Sequence, residues 1–496
     1  MELNYVSTRN RADQKTASEA ILQGLAPDGG LYVPTGIPKL DVPMAKLGEM
    51  TYQEVAYEVM SRFFTDFTEE ELKHCINSAY DSKFDTTEIA PLVAAGDAYY
   101  LELFHGKTIA FKDMALSILP YLMITSARKN QIKNDIVILT ATSGDTGKAA
   151  LAGFADVPGT KIIVFYPKDG VSDIQKRQMV TQKGDNTFVV GINGNFDQAQ
   201  TGVKKMFNDA EMKNELDAAG FQFSSANSIN IGRLIPQVVY YVFAYARLLN
   251  SGEIEEGQKI NVTVPTGNFG NILAAYYAKN MGVPIDRLIC ASNKNNVLTD
   301  FFASGTYDRR RDFYLTMSPS MDILISSNLE RLINLILDGD DKKTAEEMKK
   351  LVEEGSYSIP KEILDQKIAD FYGGFASEEE TAAEIKAVYE DCGYVIDTHT
   401  AVASAVYKKY VDKTGDKTPT VIASTASPYK FTRSVMQAIG QDRPELSDLE
   451  LTDVLSDVAN TEIPAAIVEI RDAEVRHKTI CEVDEMPKVV REFLNI

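Results

Sequence analysis

Residues that commonly hold metals are scarce in this sequence. Its 496 residues include only four histidines and four cysteines. A structural zinc site needs Cys or His residues in closely spaced sets, and no CxxC pair or Cys/His cluster occurs. We therefore predict that the protein has no metal site and that its cysteines are reduced, as is usual in the cytosol. The cysteines are Cys75, Cys290, Cys392 and Cys481.

Long apolar runs are also missing. No stretch reaches the roughly 18 consecutive apolar residues of a membrane-spanning helix. The first residues, MELNYVSTRNRADQKT, contain no apolar core of a signal peptide. We therefore predict a cytoplasmic protein that has no membrane partner.

Positive charge is in deficit. The chain carries 51 Lys and Arg residues against 71 Asp and Glu residues, for a formal net charge of −20. Nucleic acids and anionic membranes are bound by basic surfaces, so the composition excludes nucleic acid as the main partner. It also raises the question of how so acidic a protein would hold an anionic ligand.

The middle of the chain alternates short β-branched apolar runs with longer helical patterns. Strands that are apolar on both faces and separated by helices are typical of a parallel sheet covered on both sides, so we predict the α/β class. The predicted strands are Ile136–Thr140, Lys161–Tyr166, Thr187–Ile192, Ile260–Val264 and Leu288–Ala291. The predicted helices are Gly147–Ala155, Ser172–Gln182, Phe196–Asp209, Arg233–Leu249 and Asn271–Met281.

The length of 496 residues predicts about two to four domains. The first 95 or so residues lack this alternation of strands and helices, and their pattern predicts a mainly helical segment. Thr68 with Glu71, and Ser377 with Glu380, have the spacing of capping boxes that start helices.

One candidate anion-binding loop is Leu139–Gly147, which runs from a predicted strand into a predicted helix. Its small residues let the backbone approach a ligand, and the start of a helix leaves N–H groups free to bind carboxylate or phosphate. A plain tight turn capped by Ser143 or Thr146 explains the same residues, and spacing alone leaves both interpretations open.

A second such loop, Val264–Asn271, also joins a strand to a helix. Gly267 and Gly270 bracket two residues, so consecutive amides could wrap a phosphate. Neither loop is a Walker A motif or a GxGxxG fingerprint, which argues against a nucleotide. Two phosphate-type loops therefore suggest a phosphorylated cofactor, a phosphorylated substrate, or both.

Lys112 is the candidate nucleophile. It follows the apolar residues Ile109–Phe111, and an apolar setting lowers the pKa of a lysine and frees its amine for Schiff-base chemistry. The alternative is an ordinary surface lysine or one paired with Asp113.

Seven short motifs follow one another along the chain. They are GLAPDGGLYVP at 24–34, FHGKTIAFKD at 104–113, ATSGDTG at 141–147, NSINIGR at 227–233, PTGNFGN at 265–271, DTHTAVA at 397–403 and STASPYKF at 424–431. Together they resemble the pyridoxal-phosphate enzymes of the tryptophan-synthase-like fold, and within that group the threonine synthase family.

The resemblance implies an α/β protein with two open parallel-sheet domains of the fold type II kind and a mainly helical N-terminal segment. We expect an N-terminal segment at 1–95, a smaller domain with the lysine at 96–235, and a larger domain with the phosphate loop at 236–496. It also implies the cofactor pyridoxal 5′-phosphate (PLP) and a small-molecule substrate. Separately, we predict that the protein is a monomer.

Residue roles are carried over from the matching motifs. Lys112 would be catalytic and would carry PLP as a Schiff base. Asp145 would lie near the 3′ oxygen of the cofactor, and Thr425 would face its pyridine nitrogen. The cofactor phosphate would be held by Gly267, Asn268, Phe269, Gly270 and Asn271. The substrate would be bound by Ser143, Gly144, Thr146, Asn227, Ser228 and Arg233, the last three at its phosphate.

The implied reaction converts O-phospho-L-homoserine and water to L-threonine and phosphate. Two departures from the family pattern are Lys107, where Pro is common, and Ser427, where His is usual. His105 and His399 also lie inside motifs, where a hydrogen-bonding role is as good an explanation as proton transfer. A serine/threonine dehydratase of the same fold and a phosphometabolite-binding protein without activity are the competing hypotheses.

Overall fold

Parallel strands form the two largest sheets within residues 2–142, 144–169 and 171–496, which are the residues described by the computed structural model. Helices connect these strands, so the predicted α/β class with parallel-sheet domains is confirmed. Four of the five predicted strands differ from the observed ones by no more than three residues at either end, and Thr187–Ile192 matches at both ends.

The larger sheet has the order β14-β11-β10-β15-β5-β4. All of its neighbouring pairs are parallel except β4 with β5, which form an antiparallel pair at one edge. Its strands are β4 (Leu92–Ala95), β5 (Ala98–Glu102), β10 (Ile260–Pro265), β11 (Ile285–Ser292), β14 (Phe371–Phe375) and β15 (Thr420–Ser424).

The smaller sheet has the order β16-β8-β7-β6-β9 and is parallel throughout. Its strands are β6 (Asp135–Ala141), β7 (Thr160–Pro167), β8 (Thr187–Ile192), β9 (Phe221–Ser224) and β16 (Ile480–Cys481). The central strands β6, β7 and β8 are almost entirely buried, as expected for strands with helices on both faces.

The N-terminal segment combines helices with a small sheet. An antiparallel sheet of order β2-β1-β3 accompanies the predicted helices. The sequence pattern missed it because β1 and β3 have three residues each and β2 is polar and mostly exposed. These strands are β1 (Tyr5–Ser7), β2 (Asn10–Lys15) and β3 (Tyr32–Pro34), while β12 (Thr306–Asp308) pairs with β13 (Ser356–Ser358) elsewhere.

The helices follow the chain as α1 (Ala17–Gln23), α2 (Met44–Gly48), α3 (Tyr52–Phe63), α4 (Glu69–Ala79), α5 (Asp113–Leu116), α6 (Leu119–Lys129), α7 (Asp145–Phe154), α8 (Asp173–Val180), α9 (Phe196–Asn208), α10 (Ala210–Ala218), α11 (Ile231–Asn250), α12 (Gly270–Met281), α13 (Val297–Ser304), α14 (Leu329–Ile336), α15 (Asp341–Glu353), α16 (Lys361–Lys367), α17 (Glu378–Cys392), α18 (Thr398–Thr414), α19 (Thr432–Ala438), α20 (Asp448–Ala459), α21 (Ala465–Arg471) and α22 (Met486–Leu494). Both predicted capping boxes are present, at the starts of α4 and α17.

Helix α11 lies at the centre of the protein. Its sequence is apolar on all sides, so it is buried along almost its whole length and packs against α2, α3 and α12. This burial fixes the position of Arg233 in its first turn.

The two sheets do not follow the predicted boundaries at residues 95 and 235. Strand β5 lies inside the segment assigned to the smaller domain, yet it pairs with β15 of the larger sheet. Strand β16, near the C-terminus, pairs with β8 of the smaller sheet. Pairing between strands distant in sequence leaves no local signal, and the three-part division itself stays a prediction.

None of the described helices is both long enough and apolar enough to cross a bilayer.

Gly153 allows close packing of α7 on α5, the two helices that begin at Asp145 and directly after Lys112. An added Cβ at Gly153 would overlap the carbonyl oxygen of Leu116. We expect Gly153→Ala to lower the free energy of unfolding by about 1–3 kcal/mol through overpacking.

Helix propensity alone predicts the opposite, a gain of about 1 kcal/mol for Gly→Ala. The thermal unfolding midpoint of Gly153→Ala therefore separates the two effects. Ala152→Ser, a change at the neighbouring half-buried position, is the control. A Gly153→Ala protein as stable as the parent would show that α7 and α5 are not in this close contact.

Candidate active site

The segment around Lys112 is held by the loop that follows β15. Phe111 N donates to Thr425 O (2.8 Å), and Ser427 N donates to Ile109 O (3.0 Å). Ile109 adopts φ +52°, a strained conformation for a β-branched residue that turns the chain toward Lys112. This pairing brings Lys112 next to Thr425, although more than 300 residues separate them in sequence.

Asp113 closes the same loop and is not the partner of Lys112. Its carboxylate accepts hydrogen bonds from Thr108 N (2.8 Å) and Thr108 Oγ1 (2.6 Å). The interpretation of Lys112 as a lysine paired with its sequence neighbour is therefore wrong. Adjacent side chains at the start of a helix point in different directions, and here Asp113 points back along the chain.

Lys112 is a buried amine with a distant carboxylate. Its Nζ lies 3.9 Å from Asp145 Oδ2, which is too far for a hydrogen bond. Burial lowers the pKa of Lys112 to about 8; the positive charges of Lys430 and Arg233 act in the same direction and Asp145 acts against them. With this pKa, about a tenth of Lys112 is a free amine at pH 7, against well under 1% at the ordinary lysine pKa of about 10.5, and the free amine is the form that nucleophilic chemistry requires.

Asp145 is the most connected side chain of the site. It accepts from Gln175 Nε2 (2.8 Å) and Ser320 Oγ (3.0 Å), and Lys430 Nζ lies 3.1 Å from its Oδ1. Burial alone would raise the pKa of this carboxyl, but the charges of Lys430 and Lys112 hold it well below its usual range. Asp145 is therefore a buried anion at the first position of α7.

The loop before α7 is tied by Thr142. Thr142 Oγ1 accepts from Gly144 N (3.0 Å) and Gly147 N (2.9 Å), so neither Ser143 nor Thr146 needs to cap this helix. Gly144 has φ +142°, a conformation that only glycine adopts readily. Thr146 is half-buried in the first turn, and Ser143 lies outside the described residues.

The loop between β10 and α12 is held from behind by residues 320–328. Ser326 Oγ donates to Gly267 O (2.7 Å), and Asn328 N and Nδ2 donate to Asn268 O (3.0 and 2.9 Å). Phe269 lies in the left-handed region at φ +65°, and Gly270 starts α12. With its carbonyls engaged behind it, the loop leaves the first N–H groups of α12 available to an anion.

Two buried donors near these loops have no hydrogen-bond partner among the described residues. They are Asn271 Nδ2 and Arg233 Nε. Asn271 Oδ1 is already engaged by Tyr240 and Tyr241 hydroxyls, so its amide is fixed with the NH₂ group unused. A buried donor without a hydrogen-bond partner destabilises the folded protein, and a bound anion at each position would supply the missing acceptor.

The NSINIGR motif places Arg233 in the first turn of α11, directly after the loop that contains Asn227 and Ser228. Arg233 Nη1 donates to Ala226 O (2.8 Å), and burial lowers the pKa of Arg233 to about 10. Asn227 is exposed and Ser228 is half-buried, so both remain accessible to a ligand. Asp145 and Arg233 lie close enough to Lys112 for their charges to act on it, and Thr425 pairs with the residue before Lys112.

Sequence reasoning assigned no role to Lys430, Ser320 or Gln175, the remaining partners of Asp145. Lys430 lies inside the STASPYKF motif, which was a usable signal. Ser320 is 175 residues from Asp145 in sequence and Gln175 is 30 residues away, and neither lies in a motif. Only the fold brings these two to the site.

His399 supports the site from behind. Its Nε2 accepts from Ser320 N (3.1 Å), and its Nδ1 lies 2.8 Å from Asp397 Oδ2. Because Nε2 accepts, the proton belongs on Nδ1, which donates to Asp397. His399 therefore orients Ser320, which in turn binds Asp145.

His105 lies between two carboxylates. Its ring nitrogens contact Asp85 Oδ1 (2.5 Å) and Glu102 Oε2 (2.9 Å). Burial acts to lower its pKa, but the hydrogen bonds to Asp85 and Glu102 outweigh it and raise the pKa of His105 to about 9. The neighbouring Lys107 is exposed, in agreement with a solvated side chain.

Known sequence families match almost the whole chain. The family described as "Pyridoxal-phosphate dependent enzyme" matches residues 94–426. "Threonine synthase N terminus" matches residues 4–80, and "Threonine synthase, C-terminal" matches residues 400–490.

Individual proteins agree with these families. Threonine synthase-like 1 of Homo sapiens is 42% identical over 88% of the chain, which spans 60% of the length of that relative. Threonine synthase of Saccharomyces cerevisiae is 37% identical, with 88% of this chain and 89% of that protein covered. The crystal structure of PLP-bound threonine synthase from Brucella melitensis is 35% identical, covers 99% of this chain and 98% of its own, and superimposes with a TM-score of 0.87.

The raised pKa of His105 predicts a pH-dependent stability. A histidine has an ordinary pKa of about 6.5, and His105 has a pKa of about 9 in the folded protein. Its contribution to stability is therefore fully present below about pH 6.5 and is lost as the pH rises through 9. We expect His105→Gln to lower the free energy of unfolding by about 2 kcal/mol at pH 6 and by less at pH 9.5. Denaturant unfolding across this range measures the difference.

His74→Gln is the matched control, because His74 is an exposed histidine on α4. A difference between His105→Gln and the parent that stays constant from pH 6 to pH 9.5 would contradict a charged His105.

Proposed function

Because the chain belongs to the threonine synthase family of pyridoxal-phosphate-dependent enzymes, we propose that it converts O-phospho-L-homoserine and water to L-threonine and phosphate. The observation that carries the proposal is a lysine amine with a lowered pKa, accompanied by two buried donors that lack a partner among the described residues, each of which would suit an anion. One is the Asn271 amide at the start of α12, and the other is Arg233 Nε. A phosphorylated cofactor and a phosphorylated substrate would need two such sites.

The residues present fit PLP. Lys112 would hold its aldehyde carbon, the loop Gly267–Asn271 its phosphate, and Thr425 its pyridine nitrogen. Asp145 would lie near its 3′ oxygen. A hydroxyl at Thr425, unlike a carboxylate, would not force the ring nitrogen to be protonated. When bound, PLP supplies a conjugated ring that delocalises the electrons released when a proton leaves the substrate Cα.

Lys112 would move the proton at the substrate Cα. When not joined to the cofactor, Lys112 would present a free amine whose lowered pKa suits a general base near neutral pH. Asp145, held by Gln175 and Ser320, keeps a fixed anion beside this amine. Loss of a Cβ proton would then expel the γ-phosphate. Cγ would take up a proton, water would add at Cβ, and a proton would return to Cα.

Arg233 would bind the substrate phosphate, together with Asn227 and Ser228. A guanidinium can hold phosphate through two parallel hydrogen bonds, and its unpaired Nε is the donor available here. Gly144 and Thr146, with Ser143, would receive the substrate carboxylate at the start of α7. The monomeric state and the cytoplasmic location stay predictions from the sequence.

Replacement of Lys112 tests the cofactor attachment. Purified protein should carry the visible absorbance of a lysine-bound PLP, and Lys112→Ala should abolish that band while far-ultraviolet circular dichroism stays unchanged. Lys107→Ala, at an exposed lysine of the same loop, is the matched control and should keep the band. An unchanged band in Lys112→Ala would show that another residue holds the cofactor.

Replacement of Arg233 tests the substrate. We expect phosphate release from O-phospho-L-homoserine, and Arg233→Met should raise KM by about 10- to 100-fold through loss of a charged hydrogen-bonding partner. Arg247 lies on the same helix, but its guanidinium binds Gly48 O and Met50 O, so Arg247→Met should keep a near-parental KM.

Formation of a keto acid from threonine without phosphate release from O-phospho-L-homoserine would identify a dehydratase instead. Absence of both reactions in protein that carries PLP would favour a binding protein.

A further inference from the structure

We propose that Lys430 is a positioning residue that offsets the charge of Asp145 and thereby keeps Lys112 available as an uncharged amine. The inference rests on the proposed role of Lys112 and adds a residue to it. Nothing in the family motifs assigns this task to Lys430, and the mechanism described above does not use it.

The geometry places Asp145 between two lysines. The Lys430 side chain is fully buried, and its Nζ lies 3.1 Å from Asp145 Oδ1 and donates to Thr108 O (2.8 Å). Asp145 Oδ2 faces Lys112 Nζ at 3.9 Å. Each lysine thus faces a different oxygen of one carboxylate, and the shorter ion pair belongs to Lys430.

This arrangement decides which lysine carries the positive charge. A buried carboxylate near an amine stabilises its ammonium form, which would make Lys112 a poor nucleophile. Lys430 contacts the same carboxylate more closely, so the pair is already neutral before Lys112 is considered. The nearer charge of Lys430 also repels an ammonium at Lys112.

Other charges around Lys112 do not replace this effect. The charge of Asp113 has a smaller effect on Lys112 than that of Asp145, and the Asp113 carboxylate is engaged by Thr108. Arg233 is also buried, and its positive charge disfavours the Lys112 ammonium. Removing Lys430 would therefore leave Asp145 as the strongest attraction on the Lys112 ammonium.

The charge of Lys430 also acts on a second buried lysine, Lys148. Burial, followed by the charge of Lys430, lowers the pKa of Lys148 to about 8. The Lys148 ammonium binds Gln182 Oε1 and does not contact Asp145. Lys148 is therefore a matched control, since it is another buried lysine whose partner is neutral.

A purely structural role for Lys430 makes a different prediction. If Lys430 only ties Thr108 to α7, its loss would weaken the fold or the cofactor site without a directed change in the titration of Lys112. Opposite changes on removing Lys430 and on removing the Asp145 charge distinguish the two roles.

The test measures the titration of Lys112 in the full-length protein free of cofactor. Brief labelling with acetic anhydride at a series of pH values, followed by peptide mass spectrometry, gives the midpoint for Lys112. We expect Lys430→Met to raise this midpoint by about 1–3 pH units and Asp145→Asn to lower it. Lys430→Met combined with Asp145→Asn should return it toward the parental value.

Lys430→Arg, which keeps the charge, and Lys148→Met should leave the midpoint near the parental value. The pH profile of kcat/KM in the PLP-loaded enzyme should move in the same directions. If Lys430→Met fails to fold, Asp145→Asn and Lys430→Arg still test the proposal.

An unchanged midpoint in Lys430→Met, or an upward change in Asp145→Asn, would overturn the inference. The labelling needs no substrate, so a protein inactive on O-phospho-L-homoserine leaves this result interpretable. Conversely, if the enzyme is active but the titration midpoint of Lys112 does not change in Lys430→Met, this inference is refuted while the proposed function stands.

Discussion

The active-site architecture depends on one buried carboxylate. Asp145 begins the helix that follows β6 of the smaller sheet, while Lys112 and Lys430 come from segments that follow β5 and β15 of the larger sheet. Ser320 reaches the same carboxylate from the loop before α14. These contacts join the carboxyl ends of the parallel strands of both sheets, the edge where open α/β proteins bind ligands.

Some parts of the fold and of the site could be predicted from the sequence, and others could not. The parallel strands, both loops and Lys112 were predictable, because each carries a local pattern of apolar runs, glycines or apolar neighbours. The partner of Lys112 was not, because adjacency in sequence favoured Asp113 while the fold supplies Asp145. Likewise, β5 and β16 join sheets that their places in the chain did not indicate, since pairing between distant strands leaves no local trace.

The net charge of −20 has a limited meaning for ligand binding. Buried cationic side chains surround the site at Lys148, Lys430 and Arg233, and the helix N-termini add uncharged donors. Two anions could therefore be held inside a protein whose surface is acidic. The low dielectric of the interior makes these few charges count for more than the many exposed ones, which water and salt screen.

The central claim is that this site eliminates phosphate at Cγ and adds water at Cβ of O-phospho-L-homoserine. Running the reaction in ²H₂O and analysing the product by NMR tests it most directly. The account predicts threonine with deuterium at Cα and in its methyl group, because Lys112 exchanges the Cα proton and Cγ is protonated from solvent during turnover. Threonine without deuterium in the methyl group, or a keto acid as the product, would contradict it.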